Sequence, residues 1–507
     1  MKYNILDYFQ ETIANSGNRI AVIEGDKKLT FNELNTKSKL IANLIINKVG
    51  VINKPIAVYL PKSTESVIAN IAITYSSNIY MNLDIKTPIN RIKNIVELIL
   101  PSIIITNTQF KDSINNITNK CFVINIDEVN FSENINDSLI NGRLNRIIDT
   151  DPMCIINTSG STGTPKGVVL NHRSFIEFTE WALETFNFSE AEIIGSLSPI
   201  VFDIYSFELC LLMSRGATIV LISDSLSPFP IKILNILEMQ KITFIFWVPT
   251  IMVNISNMNL LPSVDLNSLK LVWFAGEVFP TKQFNYWKRH LTHSTFANLY
   301  GPIEITLDCT YFIVDRDLRD DEPLPIGKAC KNTDILILND DNKLVIQGGE
   351  GELCVRGTSL AMGYYNNPEK TSAAFVQNPL NKSYPEIIYR TGDIVSVNEN
   401  NEIIFKGRKD SLIKHLGYRI ELGEIEHVVV NTLNLVKNVC IVYHYLKKEI
   451  TMYYESDVEI PVSEFRKKIG TTLPKYMIPS IYICLDLLPR NTNGKIDRLY
   501  LKEKTNS

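Results

Sequence analysis

The chain has 507 residues, a formal net charge of −4, and 45% hydrophobic against 21% charged residues. At about 150 residues per domain this length predicts roughly three lobes and ample buried core. The composition is that of an ordinary globular chain, and the slightly acidic balance argues against a broad nucleic-acid-binding surface.

The N-terminus, MKYNILDYFQETIANSGNR, carries acids and amides where a signal peptide needs an apolar run. No stretch of about 18 uncharged apolar residues follows, so no membrane span and a cytoplasmic chain are expected. The abundance of Asn, Ile and Lys reads as the bias of an AT-rich genome. Cysteines at 121, 154, 210, 309, 330, 354, 440 and 484 form no C-x-x-C pair. Buried reduced thiols are expected, rather than a zinc site or disulfide framework.

Residues 1–50 read as helix, hairpin, helix, with LTFNELNTKSKLIANLI helical after Thr30. From about 55 to 260, β-branched runs such as Ile56–Leu60, Ser102–Thr106, Ala217–Ile222 and Phe244–Val248 alternate with amphipathic segments. That alternation predicts mainly parallel sheets covered by helices. Residues 325–409 change to strands separated by Asn, Asp and Gly turns (Asp334–Leu338, Gly351–Arg356, Glu402–Lys406), a β-rich subdomain. The last hundred residues alternate helix and strand (Leu422–Val430, Val439–Tyr445, Thr451–Glu455, Val462–Thr471) and predict a small α+β lobe. The expected division is residues 1–409 and 410–507.

The sharpest local signal is TSGSTGTPKG, comprising Thr158, Ser159, Gly160, Ser161, Thr162, Gly163, Thr164, Pro165, Lys166 and Gly167, after the strand-like Cys154–Asn157. Backbone N–H groups, small hydroxyls and one cation suit phosphate oxygens. It is not a Walker loop, which needs Gly directly before the Lys.

At this string the sequence resembles the adenylate-forming superfamily of acyl-CoA synthetases, luciferases and nonribosomal peptide synthetase adenylation domains. LTFNEL (Leu29–Leu34), NLYGPIE (Asn298–Glu304), GELCVRG (Gly351–Gly357), YRTGD (Tyr389–Asp393), GRKDSLIKHLGYRIELGEIE (Gly407–Glu426), LPKYMIP (Leu473–Pro479) and NGKIDR (Asn493–Arg498) follow in family order over nearly the whole chain. The resemblance implies two helix-covered sheets plus a distorted β-barrel, with a small C-terminal lobe on a hinge. It also implies ATP and Mg²⁺ as cofactors and two half-reactions: a carboxylate attacks the α-phosphate of ATP, and a thiol then attacks the acyl-AMP.

On this resemblance Lys495 bridges the substrate carboxylate and the α-phosphate, where negative charge gathers. Asp393 holds the ribose hydroxyls, supported by Arg408. Tyr300 offers a face to adenine, and Glu304 places Mg²⁺. Gly276, Glu277, Asn298 and Gly301 complete the nucleotide set. Ile303 stands where the family usually has Thr. Asp410 falls at the hinge, about which the small lobe rotates so that the loop around Gly417 replaces Lys495 and lines a thiol tunnel.

Asp203, in FDIYSFEL, resembles the acid that pairs with the α-ammonium in amino-acid-activating members. Ile204, Phe207, Trp247, Trp273, Ala275, Leu299, Leu307 and Asp308 are expected pocket walls. Their aromatic bulk favours a small or compact side chain, proline or alanine first, whereas Asp308 suits a hydroxyl or distal amine. FAGEVFP (Phe274–Pro280) resembles D-alanine–carrier-protein ligases, and Asn82 replaces a Pro of the family pattern.

Lys495 stands twelve residues before the end, and neither a phosphopantetheine site nor a condensation motif is present. A stand-alone enzyme handing its product in trans to a phosphopantetheinylated carrier protein is expected. The alternatives are an acyl- or aryl-CoA ligase, or a non-catalytic nucleotide sensor.

Overall fold

The computed structural model describes residues 2–118, 120–158, 165–345, 348–409, 412–436, 438–456, 458–490 and 496–506. Local chemistry starts the elements where the sequence places them. Thr30 caps helix Phe31–Lys48, its hydroxyl accepting from the Glu33 N–H while the Glu33 carboxylate accepts from the Thr30 N–H.

Two large sheets form the N-terminal body. In the nine-stranded sheet, Thr295–Tyr300, Leu271–Phe274, Phe244–Trp247, Ile193–Ser196, Thr218–Leu221 and Ile20–Glu24 run parallel, with antiparallel strands at both edges. In the seven-stranded sheet, Pro152–Thr158, Ile79–Asn82, Pro55–Val58, Ile103–Thr106 and Phe122–Asn125 are parallel neighbours, and Lys166–Asn171 returns antiparallel on Pro152–Thr158. Strands such as Ile103–Thr106 and Phe244–Trp247 are buried at every position, as expected where helices cover both faces.

Helices Thr64–Tyr75 and Asp203–Arg215 pack within the core that joins the two sheets. The first is buried at every position except Glu65, and the second from Ile204 through Met213. A helix apolar on all sides belongs inside a protein.

Residues 333–408 contain a five-stranded antiparallel sheet built on Ile387–Val397. Two short strands of this region leave it. Lys328–Ala329 joins the nine-stranded sheet and Gly363–Tyr364 the seven-stranded one, tying the β-rich part to both.

From Leu412 onward, a hairpin (Leu412–His415, Tyr418–Glu421), helix Leu422–His427 and the sheet Val439–His444, Glu449–Glu455, Ile481–Leu485 share a separate apolar core. Helix Val462–Ile469 covers that core through Phe465 and Ile469. All eight cysteines are unpaired. Among the described residues no helix is long and apolar enough to cross a membrane.

Charges join the C-terminal part to the body. Arg91, on helix Ile89–Ile99, pairs with Glu424 on helix Leu422–His427, with side chains 8% and 0% exposed. Lys166 pairs with Glu421 at 2.8 Å. Removing one member of a buried pair strands the other charge, at a cost of about 3–5 kcal/mol. Arg91→Met should therefore loosen the docking of the C-terminal part, read as faster limited proteolysis and a lower urea midpoint. Arg91→Lys should fall between the two.

His172 opens helix His172–Phe186 and is buried; burial pushes its imidazole down to about 4 against the pull of Asp151, Asp7 and Asp149. It is neutral in the fold and protonated in the unfolded chain below about pH 6.5. Its contribution is therefore complete above pH 6.5 and is lost at about 1.4 kcal/mol per pH unit as pH falls toward 4. Unfolding free energies measured between pH 7 and 5 should show this slope, and His172→Gln should flatten it.

Candidate active site

A cleft opens at the C-terminal ends of the parallel strands, the usual ligand position in such sheets. Its walls come from both sheets and from the hairpin: Thr158, Asp203, Gly276, Gly301 and Asp308 on one side, Lys414, Gly417, Tyr418 and Arg419 on the other.

Asp203 begins helix Asp203–Arg215 and faces this cleft. Its Oδ1 accepts from the Ile204 N–H at 3.0 Å and its Oδ2 from the Leu307 N–H at 3.2 Å. Burial pushes its carboxyl above the ordinary range, against these N–H groups and the Lys414 ammonium. The Leu307 N–H reaches Asp203 through an unusual turn: Thr306 and Leu307 both take left-handed conformations, at φ 54° and 65°. Gly301 permits that turn, because a Cβ there would meet the Leu307 carbonyl oxygen at 2.1 Å. Ile204, Ala275, Leu307 and Asp308 line the same end of the cleft.

Four expected wall residues lie elsewhere. Phe207 and Trp273 are fully buried and stacked on each other, 5.4 Å apart and inclined by 8°. Phe246 packs edge-on against Trp273 at 5.4 Å, and Phe244 and Phe188 complete this aromatic layer. Trp247 points to the opposite face of its strand, donating from Nε1 to the Gly195 carbonyl at 2.9 Å within the other core. Strand alternation separates it from Phe246, so Phe246 joins the layer in its place. Leu299 is core. None of Phe207, Trp247, Trp273 or Leu299 lines the cleft.

The nucleotide-type residues gather around two buried carboxylates. Asp393 accepts from the Tyr300 hydroxyl and pairs with Arg408, which faces it across paired strands. Glu304 accepts from the Tyr364 hydroxyl at 2.8 Å and pairs with Arg419. Burial alone would raise the Glu304 carboxyl, but Arg419 and Tyr364 outweigh it and hold it below its ordinary range. Lys414 stands over the Tyr300 ring, 5.9 Å from its centre. Asn298 is turned away from the cleft, its amide donating to the Pro325 carbonyl at 2.7 Å. Lys166 is engaged by Glu421. Ser159, Gly160, Ser161, Thr162, Gly163, Thr164, Asp410 and Lys495 lie outside the described residues.

The hairpin turn passes through the middle of the cleft. Gly417 has φ +80°, and a Cβ on it would meet Val248 Cγ1 at 2.7 Å, so only Gly fits. Its N–H donates to Glu277 Oε1 at 2.9 Å, while Glu277 Oε2 accepts from the Thr250 N–H and from Lys448. Tyr418 stacks on Tyr476 at 3.6 Å and meets Phe202 edge-on at 4.9 Å. Lys414, Arg419 and Tyr476 were inside recognisable strings but not singled out. Basic and aromatic residues in a hairpin signal exposure until the hairpin is docked.

These residues fit ATP and a divalent cation. Glu304 already holds a cationic group, the Arg419 guanidinium, where a metal would sit. Asp393 is a buried acceptor of hydroxyl and guanidinium hydrogens, the chemistry a ribose diol requires. In the described arrangement both carboxylates are occupied by arginines.

A family model described as "AMP-binding enzyme" matches residues 9–365. Tyrocidine synthase 1 of Brevibacillus parabrevis is 30% identical over 503 residues, covering 99% of this chain but 45% of that protein, so the chain spans less than half of that relative. The Vibrio cholerae adenylation domain AlmE, solved with glycyl-adenosine-5'-phosphate, shares the fold at TM-score 0.85 and 19% identity, over 100% of this chain and 98% of that one. The o-succinylbenzoate CoA synthetase MenE of Bacillus subtilis shares it at TM-score 0.82 and 21% identity, over 99% and 98%. With the match covering residues 9–365, the chain belongs to the AMP-binding enzyme family and is an adenylate-forming enzyme.

Proposed function

We propose that the chain activates an amino acid as its aminoacyl-AMP, releasing pyrophosphate, and then passes the aminoacyl group to the phosphopantetheine thiol of a carrier protein. The observation that carries this reading is Asp203. It is a partly buried carboxylate facing the cleft, held in place by two backbone N–H groups and forming no ion pair among the described residues. A substrate α-ammonium compensates it; an acid without an amine leaves the charge buried alone.

In the first half-reaction, Lys495 would serve the substrate carboxylate and α-phosphate, Asp393 and Arg408 would hold the ribose, and Glu304 would hold Mg²⁺, which would neutralise phosphate charge. Arg419 must then have left Glu304, so the hairpin withdraws as the small lobe turns about Asp410. In the second half-reaction the hairpin is inserted as described above. Gly417 then presents only backbone to an incoming pantetheine, while Arg419 and Arg408 cover the two carboxylates. Phe207, one helical turn after Asp203, is buried against Trp273, which favours a small side chain. The small glycyl adenylate bound to AlmE is consistent with that preference. A coenzyme A acceptor, as the name of MenE implies for that protein, is the competing reading of the second step.

Asp203→Asn should lower kcat/KM for amino-acid-dependent pyrophosphate exchange about 100-fold, the scale of a stranded buried ammonium. A loss below about threefold would remove the amino-acid reading. Gly417→Val places side-chain atoms against Val248, and should slow aminoacyl transfer at least about tenfold more than it slows pyrophosphate exchange. Equal losses would show that the hairpin does not serve the thiol step in particular. Transfer to coenzyme A at a rate matching or exceeding that to carrier proteins would favour the ligase reading.

A further inference from the structure

The substrate end of the cleft holds two acids, and one α-ammonium neutralises only one. Asp308 is 4% exposed, lines the cleft with Asp203, and has no hydrogen bond or ion pair through its carboxylate among the described residues. Burial and the neighbouring Asp203 charge push its carboxyl well above the ordinary range; Lys414 pulls the other way. Lys414, on the hairpin strand Leu412–His415, lines the cleft as well, but its ammonium donates to the Gly301 carbonyl at 3.5 Å and forms no ion pair with Asp308. A buried acid with no hydrogen bond or ion pair, lining a binding cleft, calls for a cation from the ligand.

Geometry limits how far that cation lies from the first. Asp203 Oδ2 is held by the N–H of Leu307, the residue directly before Asp308. The left-handed turn at Thr306 and Leu307 brings the two acids to one corner. Phe207, one turn after Asp203 on the same helix, is fully buried and stacked on Trp273, so that side of the corner is filled with aromatic side chains. A substrate answering both acids therefore carries its nitrogens close together.

Building on the amino-acid reading above, we propose that the substrate is a short diamino acid, with two or three carbons between its nitrogens, gripped by Asp203 at the α-ammonium and Asp308 at the second ammonium. This explains why one pocket combines small-residue dimensions with a second carboxylate, a pairing that alanine or proline leaves unanswered.

The test is pyrophosphate exchange by the full chain with glycine, alanine, serine, 2,3-diaminopropionate, 2,4-diaminobutyrate, ornithine and lysine. One of the two short diamino acids should exceed alanine, serine and lysine at least about tenfold in kcat/KM, and Asp308→Asn should lower its ratio to alanine at least about tenfold. Calorimetry of the wild-type chain with the sulfamoyl-adenosine analogues of 2,3-diaminopropionate and alanine gives the same comparison without turnover and without relying on a variant. The diamino analogue should bind at least about tenfold tighter. A preference for alanine, glycine, serine or lysine, or a ratio unmoved by Asp308→Asn, overturns the diamino assignment while leaving amino-acid activation standing. Exchange with no amino acid at all overturns both.

Discussion

Charge pairs across the lobe junction are the constraint on which this structure turns. Arg91 with Glu424, Lys166 with Glu421, Arg419 with Glu304 and Lys448 with Glu277 each link the body to the part beyond Leu412. Buried ion pairs add little net stability over apolar contacts, because desolvation offsets their attraction. They do fix one orientation, since misaligned charges are left unpaired. They also separate into water at lower cost than apolar surface would. A junction made of such pairs suits the lobe rotation proposed above.

The same pairs connect that motion to chemistry. Glu304 and Asp393 are the acids suited to metal and ribose, yet each is covered by an arginine, one from the hairpin and one from the strand leading to it. On the proposed function, nucleotide binding and hairpin insertion compete for Glu304. The competition gives a physical reason for two successive geometries, since one carboxylate cannot serve a metal ion and a guanidinium in the same place. Across the cleft, the Asp203 corner belongs wholly to the large body. Its shape depends on a left-handed turn tolerated only because Gly301 lets the backbone close in.

Much of the fold was legible because local signals and packing agree. The Thr30 cap, the β-branched runs and the change of texture near residue 325 each correspond to an element in the structure. The exceptions have physical causes. Lys328–Ala329 and Gly363–Tyr364 are too short to announce which sheet they join. The helix expected through Val430 ends at His427 and continues as a wider π turn over Val428–Thr432, which sequence spacing does not reveal.

By itself the sequence determined the chemistry available: the order of the motifs, the acids at 203, 304 and 393, and a glycine at 417 inside a hairpin. Residue type and spacing carry that information because capping, alternation and turn formation are local. Only the tertiary structure decided which side chains share the cleft. It sent Trp247 to the far core and Phe246 toward Trp273, buried Phe207 beneath the pocket, set Asp308 beside Asp203, and placed Arg419 on Glu304. Those outcomes depend on strand facing and on contacts between residues far apart in the sequence, where no local preference acts.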